Sequence, residues 1–272
     1  MKKVHSMYFS GTETTKRMVN YIADKLSELL KTEKEEFDFS ILENRKSEKV
    51  FTSDDIVVFG VPVIAGRVPN VLLKYLDTIK GNGALAVPVV LYGNRNYDDA
   101  LIELRDILAK DGLKPIAAGA FIGEHSFSKI LAQGRPDKDD FEIAADFAEK
   151  IYKKITDKDF DADKLIEVKG ETPYRYYYKP RDSKGVFVDI RKVVPKTKKE
   201  LCDDCKLCAE ICPMGSIDHE DPSKIIGICI KCCACVKRCP KQAKYYDDEG
   251  YLYHQHELED QFKRRAVPEI FY

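Results

Sequence analysis

Over residues 1–156 short apolar runs alternate with amphipathic stretches, the rhythm of parallel strands joined by helices that cover both faces of a sheet. Five runs read as strands: residues 4–9, 37–41, 56–61, 84–92 and 114–122. In the last three, apolar residues follow one another almost without alternation, which marks strands buried on both faces. Two helices stand out between and after them. Residues 14–30 place Met18, Ile22, Leu26 and Leu29 on one side, and residues 137–156 do the same with Phe141, Ala144, Ala148, Ile151 and Ile155. Both stripes are assigned to the core.

The rhythm stops near Asp157. Residues 157–199 form a charged connector with a tyrosine cluster, Tyr174 to Tyr178, and a short apolar run at 185–190. Residues 175–199 hold nine basic and two acidic side chains, a solvated linker or a docking surface for an acidic partner, the linker being the plainer reading. The division is therefore 1–156, a strand-and-helix domain; 157–199, a linker; 200–246, a cysteine module; and 247–272, a polar tail containing His254 and His256.

Composition narrows the classes. With 272 residues, 44% hydrophobic, 33% charged and a formal net charge of -1, the chain is neither disordered nor a broadly basic nucleic-acid binder. No apolar run reaches the roughly 18 residues of a membrane span, and the first residues lack the apolar segment of a signal peptide. The expected location is the cytoplasm, with no nucleic acid and no membrane among the partners.

All nine cysteines lie between Cys202 and Cys239, too densely packed for a disulfide framework and suited to metal ligation. They repeat one motif: Cys202, Cys205, Cys208 and Cys212-Pro213, then Cys229, Cys232, Cys235 and Cys239-Pro240. Three thiolates two residues apart wrap one side of an iron-sulfur cubane, and a fourth must arrive from farther along the chain. The motif resembles bacterial-type two-cluster ferredoxins at all eight ligands and both prolines. That resemblance implies one 4Fe-4S cluster on Cys202, Cys205, Cys208 and Cys239, and another on Cys229, Cys232, Cys235 and Cys212; two zinc sites are the alternative. Cys233 lies outside both motifs and reads as a bystander. Residues 200–221 hold seven acidic side chains and one lysine, whereas 222–244 hold six basic ones and no acid. The basic lobe, with Lys237, Arg238 and Lys241, is expected to orient an external redox partner, although pairing within the chain would leave the same pattern.

The first strand runs into a hydroxyl-rich loop, Ser10-Gly11-Thr12-Glu13-Thr14-Thr15, that opens directly into a helix. Free N–H groups and hydroxyls there suit a phosphate, while the glycine patterns of dinucleotide and triphosphate sites are absent. With the five strands, this loop resembles the flavodoxins, whose FMN lies at the switch point of a sheet ordered 2-1-3-4-5. The resemblance implies a phosphate held by Ser10, Gly11, Thr12, Glu13, Thr14 and Thr15. It also implies a ring embraced by Pro62, Val63, Ile64, Ala65 and Gly66 on one side and by Gly93, Asn94, Arg95, Tyr97 and Asp98 on the other. Tyr97 is the expected stacking partner, and Gly93 and Asn94 the expected backbone contacts to the pyrimidine edge. Glu13 stands where a small residue is usual and Thr14 where Asn is frequent. There is no tryptophan, so the second face falls to Val63 or Ile64, or to the Tyr174–Tyr178 cluster. His125, at the end of the fifth strand, is a candidate proton donor, with a structural histidine as the plainer reading.

The expected fold is thus α/β: a flavodoxin-like, doubly wound five-stranded parallel sheet of order 2-1-3-4-5, with a small C-terminal α+β two-cluster ferredoxin domain. The assembly looks like the flavodoxin-ferredoxin fusion family of anaerobic bacteria and archaea. The phrases Gly66-Arg67-Val68-Pro69, Tyr92-Gly93-Asn94-Arg95 and Gly123-Glu124-His125-Ser126 fit it. The resemblance implies an electron-transfer protein passing low-potential electrons between two 4Fe-4S clusters and FMN and on to a redox partner protein. The alternative is an FMN-dependent reductase of a small molecule, fed by the clusters. Donor, acceptor, direction of flow and oligomeric state, a homodimer included, are left open by the sequence.

Overall fold

The near-continuous apolar runs are explained by a sheet with helices on both faces. The computed structural model describes residues 3–272. In chain order the first half contains β1 (Lys3–Tyr8), α1 (Thr14–Leu30), β2 (Lys34–Asp38), β3 (Asp55–Pro62), α2 (Asn70–Leu76), β4 (Leu85–Tyr92), α3 (Ala100–Lys110), β5 (Lys114–Pro115), β6 (Ala118–Ile122) and α4 (Lys138–Thr156). The strands pair in parallel in the order β2-β1-β3-β4-β6, with β5 also on β4. Counting β5 and β6 as one interrupted strand, this is the flavodoxin-like order 2-1-3-4-5. Alternate residues of β4 enter opposite cores. Val87 and Val89 meet Met18, Ile22, Ala144 and Phe147 of α1 and α4; Ala86 and Val90 belong to the core with Leu72, Leu76, Leu101 and Leu104 of α2 and α3.

Three differences from the sequence reading have physical causes. The fifth strand, expected to be continuous, is split between Pro115 and Ala118 by a one-residue bulge, since Pro115 pairs with Ala86 and Gly119 with Val89, so four steps on this strand face three on β4. The second strand lies earlier than residues 37–41: β2 reads Lys-Glu-Glu-Phe-Asp and is only half-buried, so its polar side chains hide it from a hydrophobic pattern. The polar tail is not a tail. Residues 249–261 form α7 (Glu249–Gln261), and Glu269–Phe271 adds antiparallel to β6, pairing Ala118 with Phe271 and Ala120 with Glu269, which covers the free edge of the sheet.

Most of the connector, its basic side chains included, is exposed, but its tyrosine-rich part is bound to the first half. Asp99, fully buried, accepts hydrogen bonds from the backbone N–H groups of Glu171 (2.9 Å) and Arg175 (2.7 Å). Tyr174 donates to Asp106 (2.6 Å), Tyr177 to the Val68 carbonyl (2.8 Å), and the Tyr178 N–H to the Ala65 carbonyl (2.8 Å). The cysteine module follows, with β7 (Lys196–Thr197) antiparallel to β8 (Lys244–Tyr245) and the single turns α5 (Leu207–Glu210) and α6 (Ala234–Lys237). The remaining strand, Glu269–Phe271, is β9. No helix among the described residues is long and apolar enough to cross a membrane.

Candidate functional site

Helix α1 begins without a side-chain cap: Glu13 precedes it in the left-handed region, at φ 67°. The N–H groups of Thr14 and Thr15 therefore stay open, while the Lys16 N–H goes to Ser10 Oγ (3.2 Å), and Thr12, Thr14 and Thr15 stand on the wall of a cavity of about 650 Å³, a size suited to a small ligand. The opposite walls are the loops after β3 and β4, as the carboxyl ends of a doubly wound sheet require. These loops lock together. A Cβ on Gly66 would come within 2.2 Å of the Asp98 carboxylate, and one on Gly93 within 2.3 Å of the His125 ring.

Of the expected ligand-holding residues, Gly11, Thr12, Thr14, Thr15, Pro62, Val63, Ile64, Ala65, Gly66, Gly93 and Arg95 line this cavity. Ser10, Glu13, Asn94, Tyr97 and Asp98 are absent from its lining, and each is engaged elsewhere. Ser10 accepts from the Lys16 N–H (3.2 Å), and Glu13 pairs with Arg238 (3.5 Å). The Asn94 amide donates to the carbonyls of Phe262 (2.7 Å) and Arg264 (2.6 Å). Asp98 pairs with Arg95. Tyr97 is enclosed in the core, its hydroxyl donating to Glu269 of β9 (3.1 Å), because the edge strand draws the phenol away from the cavity.

Aromatic walls come instead from Tyr92, Phe127, Tyr177, Tyr178 and Phe187. Tyr177 and Tyr178 belong to the tyrosine cluster, Tyr92 to the end of the fourth strand and Phe187 to the apolar run at 185–190, while nothing in the sequence singles out Phe127. His254, read as a tail residue, is buried on the same wall, with its ring 5.9 Å from that of Tyr178. His125 also lines the cavity. Its Nδ1 accepts from the Phe127 N–H (3.1 Å), which leaves the hydrogen on Nε2. Burial, reinforced by the positive charge of Lys237, pushes its pKa down to about 3. At neutral pH the imidazole is an uncharged N–H donor, not the acid that a proton donor requires.

The cysteines surround two hollows. One is lined by Cys212, Cys229, Cys232 and Cys235, with Cys233 beside them; the other by Cys202, Cys205, Cys208 and Cys239. Each combines three thiols of one motif with the fourth of the other. The chain bends around the sulfurs through left-handed residues at matching places, Asp204 and Lys206 in the first loop, Lys231 and Cys233 in the second, with φ between 55° and 62°. The Cys212 sulfur accepts from the Ser216 N–H (3.4 Å) and the Cys239 sulfur from the Ala243 N–H (3.3 Å). Burial pushes the Cys232 thiol up to about 12 and raises Cys235 as well, so these thiols stay protonated until a metal displaces the proton. Cys233 is buried, its sulfur 3.4 Å from the Tyr251 hydroxyl. Among the described residues no group of three or more His, Cys, Asp or Glu could hold a single metal ion; a cubane is ligated around its periphery and does not draw four sulfurs to one point.

The two halves meet at the cavity. Cys229, Ile230, Lys231 and Cys232 form part of its wall, and a Cβ on Gly11 would lie 2.9 Å from the Cys232 Cβ. Lys237, expected to face an external partner, instead enters the first half, donating to the carbonyls of His125 and Ser128 (both 2.7 Å) and pairing with Glu124. Arg238 pairs with Glu13, and Lys241 with Asp203 of its own module (3.7 Å). The basic lobe is thus engaged within the chain, drawn to carboxylates and carbonyls that the sequence did not place beside it.

No protein-family model and no curated protein matches the chain. Among solved structures it is similar to a flavodoxin from the domain Archaea, at 14% identity over 58% of this chain and 100% of that one, TM-score 0.40. A Fusobacterium nucleatum flavodoxin bound to flavin mononucleotide is 20% identical over 56% of this chain and 98% of that one, TM-score 0.37. The Giardia intestinalis flavodiiron protein is 19% identical over 56% of this chain and 36% of that one, TM-score 0.34.

Proposed function

We propose that the chain is an electron-transfer protein of the flavodoxin-ferredoxin fusion type, with FMN in the cavity, a 4Fe-4S cluster in each cysteine hollow, and redox proteins as donor and acceptor. One observation carries the reading: Cys229 and Cys232 stand on the wall of the same cavity as the loop before α1. When bound, the clusters exchange single electrons and FMN exchanges one or two. The open N–H groups of Thr14 and Thr15 at the start of α1 and the hydroxyls of Thr12, Thr14 and Thr15 fit a phosphate dianion. Gly11, lacking a side chain, admits the Cys232 loop, and Lys237 holds the halves in that register. The hollow ringed by Cys202, Cys205, Cys208 and Cys239 shares no lining residue with the cavity, which makes it the distal site.

The test is anaerobic reconstitution with a count of iron, sulfide and FMN, then stepwise reduction followed by flavin absorbance and cluster EPR. Two reducible clusters and one FMN per chain, with cluster and flavin reduction linked, are expected. Stoichiometric zinc, or a chain that takes up no FMN, would refute the reading. A second reading, FMN-dependent reduction of a small molecule, draws support from the connector and α7, whose Tyr178, Lys179, Phe187 and His254 wall the cavity. Perturbation of the bound flavin spectrum by small redox-active compounds, with turnover, would favour it.

A further inference from the structure

The two cysteine loops are copies with opposite charge. Between the first two cysteines the distal loop carries Asp203 and Asp204, and the proximal loop Ile230 and Lys231. Asp204 and Lys231 occupy the same motif position and share the left-handed conformation, at φ 59° and 55°, so the backbone presents the two side chains from equivalent places. Their surroundings differ. Asp204 is 62% exposed and paired with Lys206 (2.8 Å), where water and a counter-charge screen it. Lys231 is buried, and its ammonium donates to the carbonyls of Arg191 (2.8 Å) and Cys229 (2.9 Å), not to a carboxylate. The nearby Asp189 carboxylate acts on it through space only and is itself tied to Arg191 (2.7 Å); a buried charge hydrogen-bonded to dipoles exerts its field with less attenuation than an exposed pair.

Resting on the reading of two clusters beside FMN, we propose that Lys231 is a positioning residue that makes the proximal cluster the preferred seat of an electron entering the module. The step is a one-electron exchange: the distal cluster is oxidised, the proximal cluster is reduced, and no proton or bond changes place. Two effects oppose each other. The proximal cysteines are the more buried set, Cys235 being buried and Cys205 exposed, and burial disfavours the extra negative charge of the reduced cluster. The Lys231 ammonium offsets that penalty from within the ligand loop. The carboxylate at the matching distal position works in the other direction, weakly because it is exposed. Electrons are thereby biased toward the flavin side of the module. The tie to the Arg191 carbonyl also anchors the connector to the proximal loop, so the cationic wall and the cavity keep one geometry.

The experiment is anaerobic redox titration of the cofactor-loaded protein, with both cluster midpoints read by EPR, for the native chain and for Lys231→Met, Lys231→Arg and Asp204→Lys. In Lys231→Met one midpoint should fall by about 59 mV, a tenfold loss in that cluster's share of the electron, while the other moves much less. Lys231→Arg should restore it, and Asp204→Lys should raise the other midpoint. Unchanged midpoints in Lys231→Met, or equal shifts in the Met and Arg variants, would overturn the proposal. So would loss of the proximal cluster in Lys231→Met together with an Asp204→Lys protein whose midpoints match the native ones. If the native chain shows no clusters, the underlying reading fails; if it shows two and they ignore Lys231, only this inference fails.

Discussion

Where the N-terminal domain buries Met7, Phe59, Val87 and Phe147 completely, the cysteine module gathers a small cluster of Ala209, Ile217 and Cys235 with a few half-buried neighbours, besides the small buried side chains of Cys233, Ala234 and Ala243. The sheet is held by two apolar layers, each of the size that stabilises an ordinary domain. The module has two-residue strands, single-turn helices and four left-handed non-glycine residues in its ligand loops, each of which costs on the order of 1 kcal/mol. Hydrophobic burial stabilises one region. In the other, metal–thiolate bonds are expected to supply what the core lacks, so that cofactor binding and folding are one event.

That contrast is most directly broken by withholding iron or by Cys235→Ala. Residues 196–246 should then be cleaved by protease on the order of 100-fold faster, while amides of α1 and β4 keep their exchange protection. A module that resists protease without iron would erase the distinction. Next in size is Lys237→Met, which leaves Glu124 and two carbonyls without their donor. It should loosen the contact between the halves by about 2–4 kcal/mol, seen as faster hydrogen exchange at residues 124–128 with the remainder of the sheet unaffected.

Gly93→Ala tests packing within the first half. Its Cβ would meet the His125 ring, and overpacking of about 1–3 kcal/mol should weaken FMN binding roughly tenfold, measured by quenching of flavin fluorescence. The acid response of the same half is smaller near neutrality. The unfolded chain takes up a proton at His125 near pH 6.5, whereas the folded chain refuses it until about pH 3. The stability contributed by an uncharged His125 is therefore fully present above pH 6.5 and is lost as pH drops through that window, by up to about 1.4 kcal/mol per unit. Urea unfolding at pH 7 and pH 5 should show a shallower loss for His125→Gln. Smallest is Lys241→Glu. Its pair with Asp203 is long and half-exposed, and the melting of the module should change by less than about 0.5 kcal/mol.

Much of the sheet was legible because each strand is read by its neighbours on both faces, and α1 matches its expected bounds of residues 14–30. The misses share a cause. β2, β9 and α7 are short or half-polar elements, and each meets a partner distant in the chain: β1 for β2, β6 for β9, and Ser128, which donates to Glu259, for α7. The cavity followed the same division. Its glycine and hydroxyl loops lie where strand ends must put them, whereas Tyr97 was misread because Glu269, arriving from the end of the chain, claims its hydroxyl.

The sequence alone determined what is local and periodic: the strand and helix alternation, an anion-ready loop ahead of a helix, and two cysteine runs whose spacing suits a cubane. Those properties depend on residues within a few turns of one another. Only the tertiary structure decided which cysteine loop meets the cavity, that Lys237 points inward, and that a buried ammonium stands opposite an exposed carboxylate in the two copies. Burial and charge pairing are properties of the whole assembled chain, since a side chain's dielectric surroundings are set by segments that meet it only after folding.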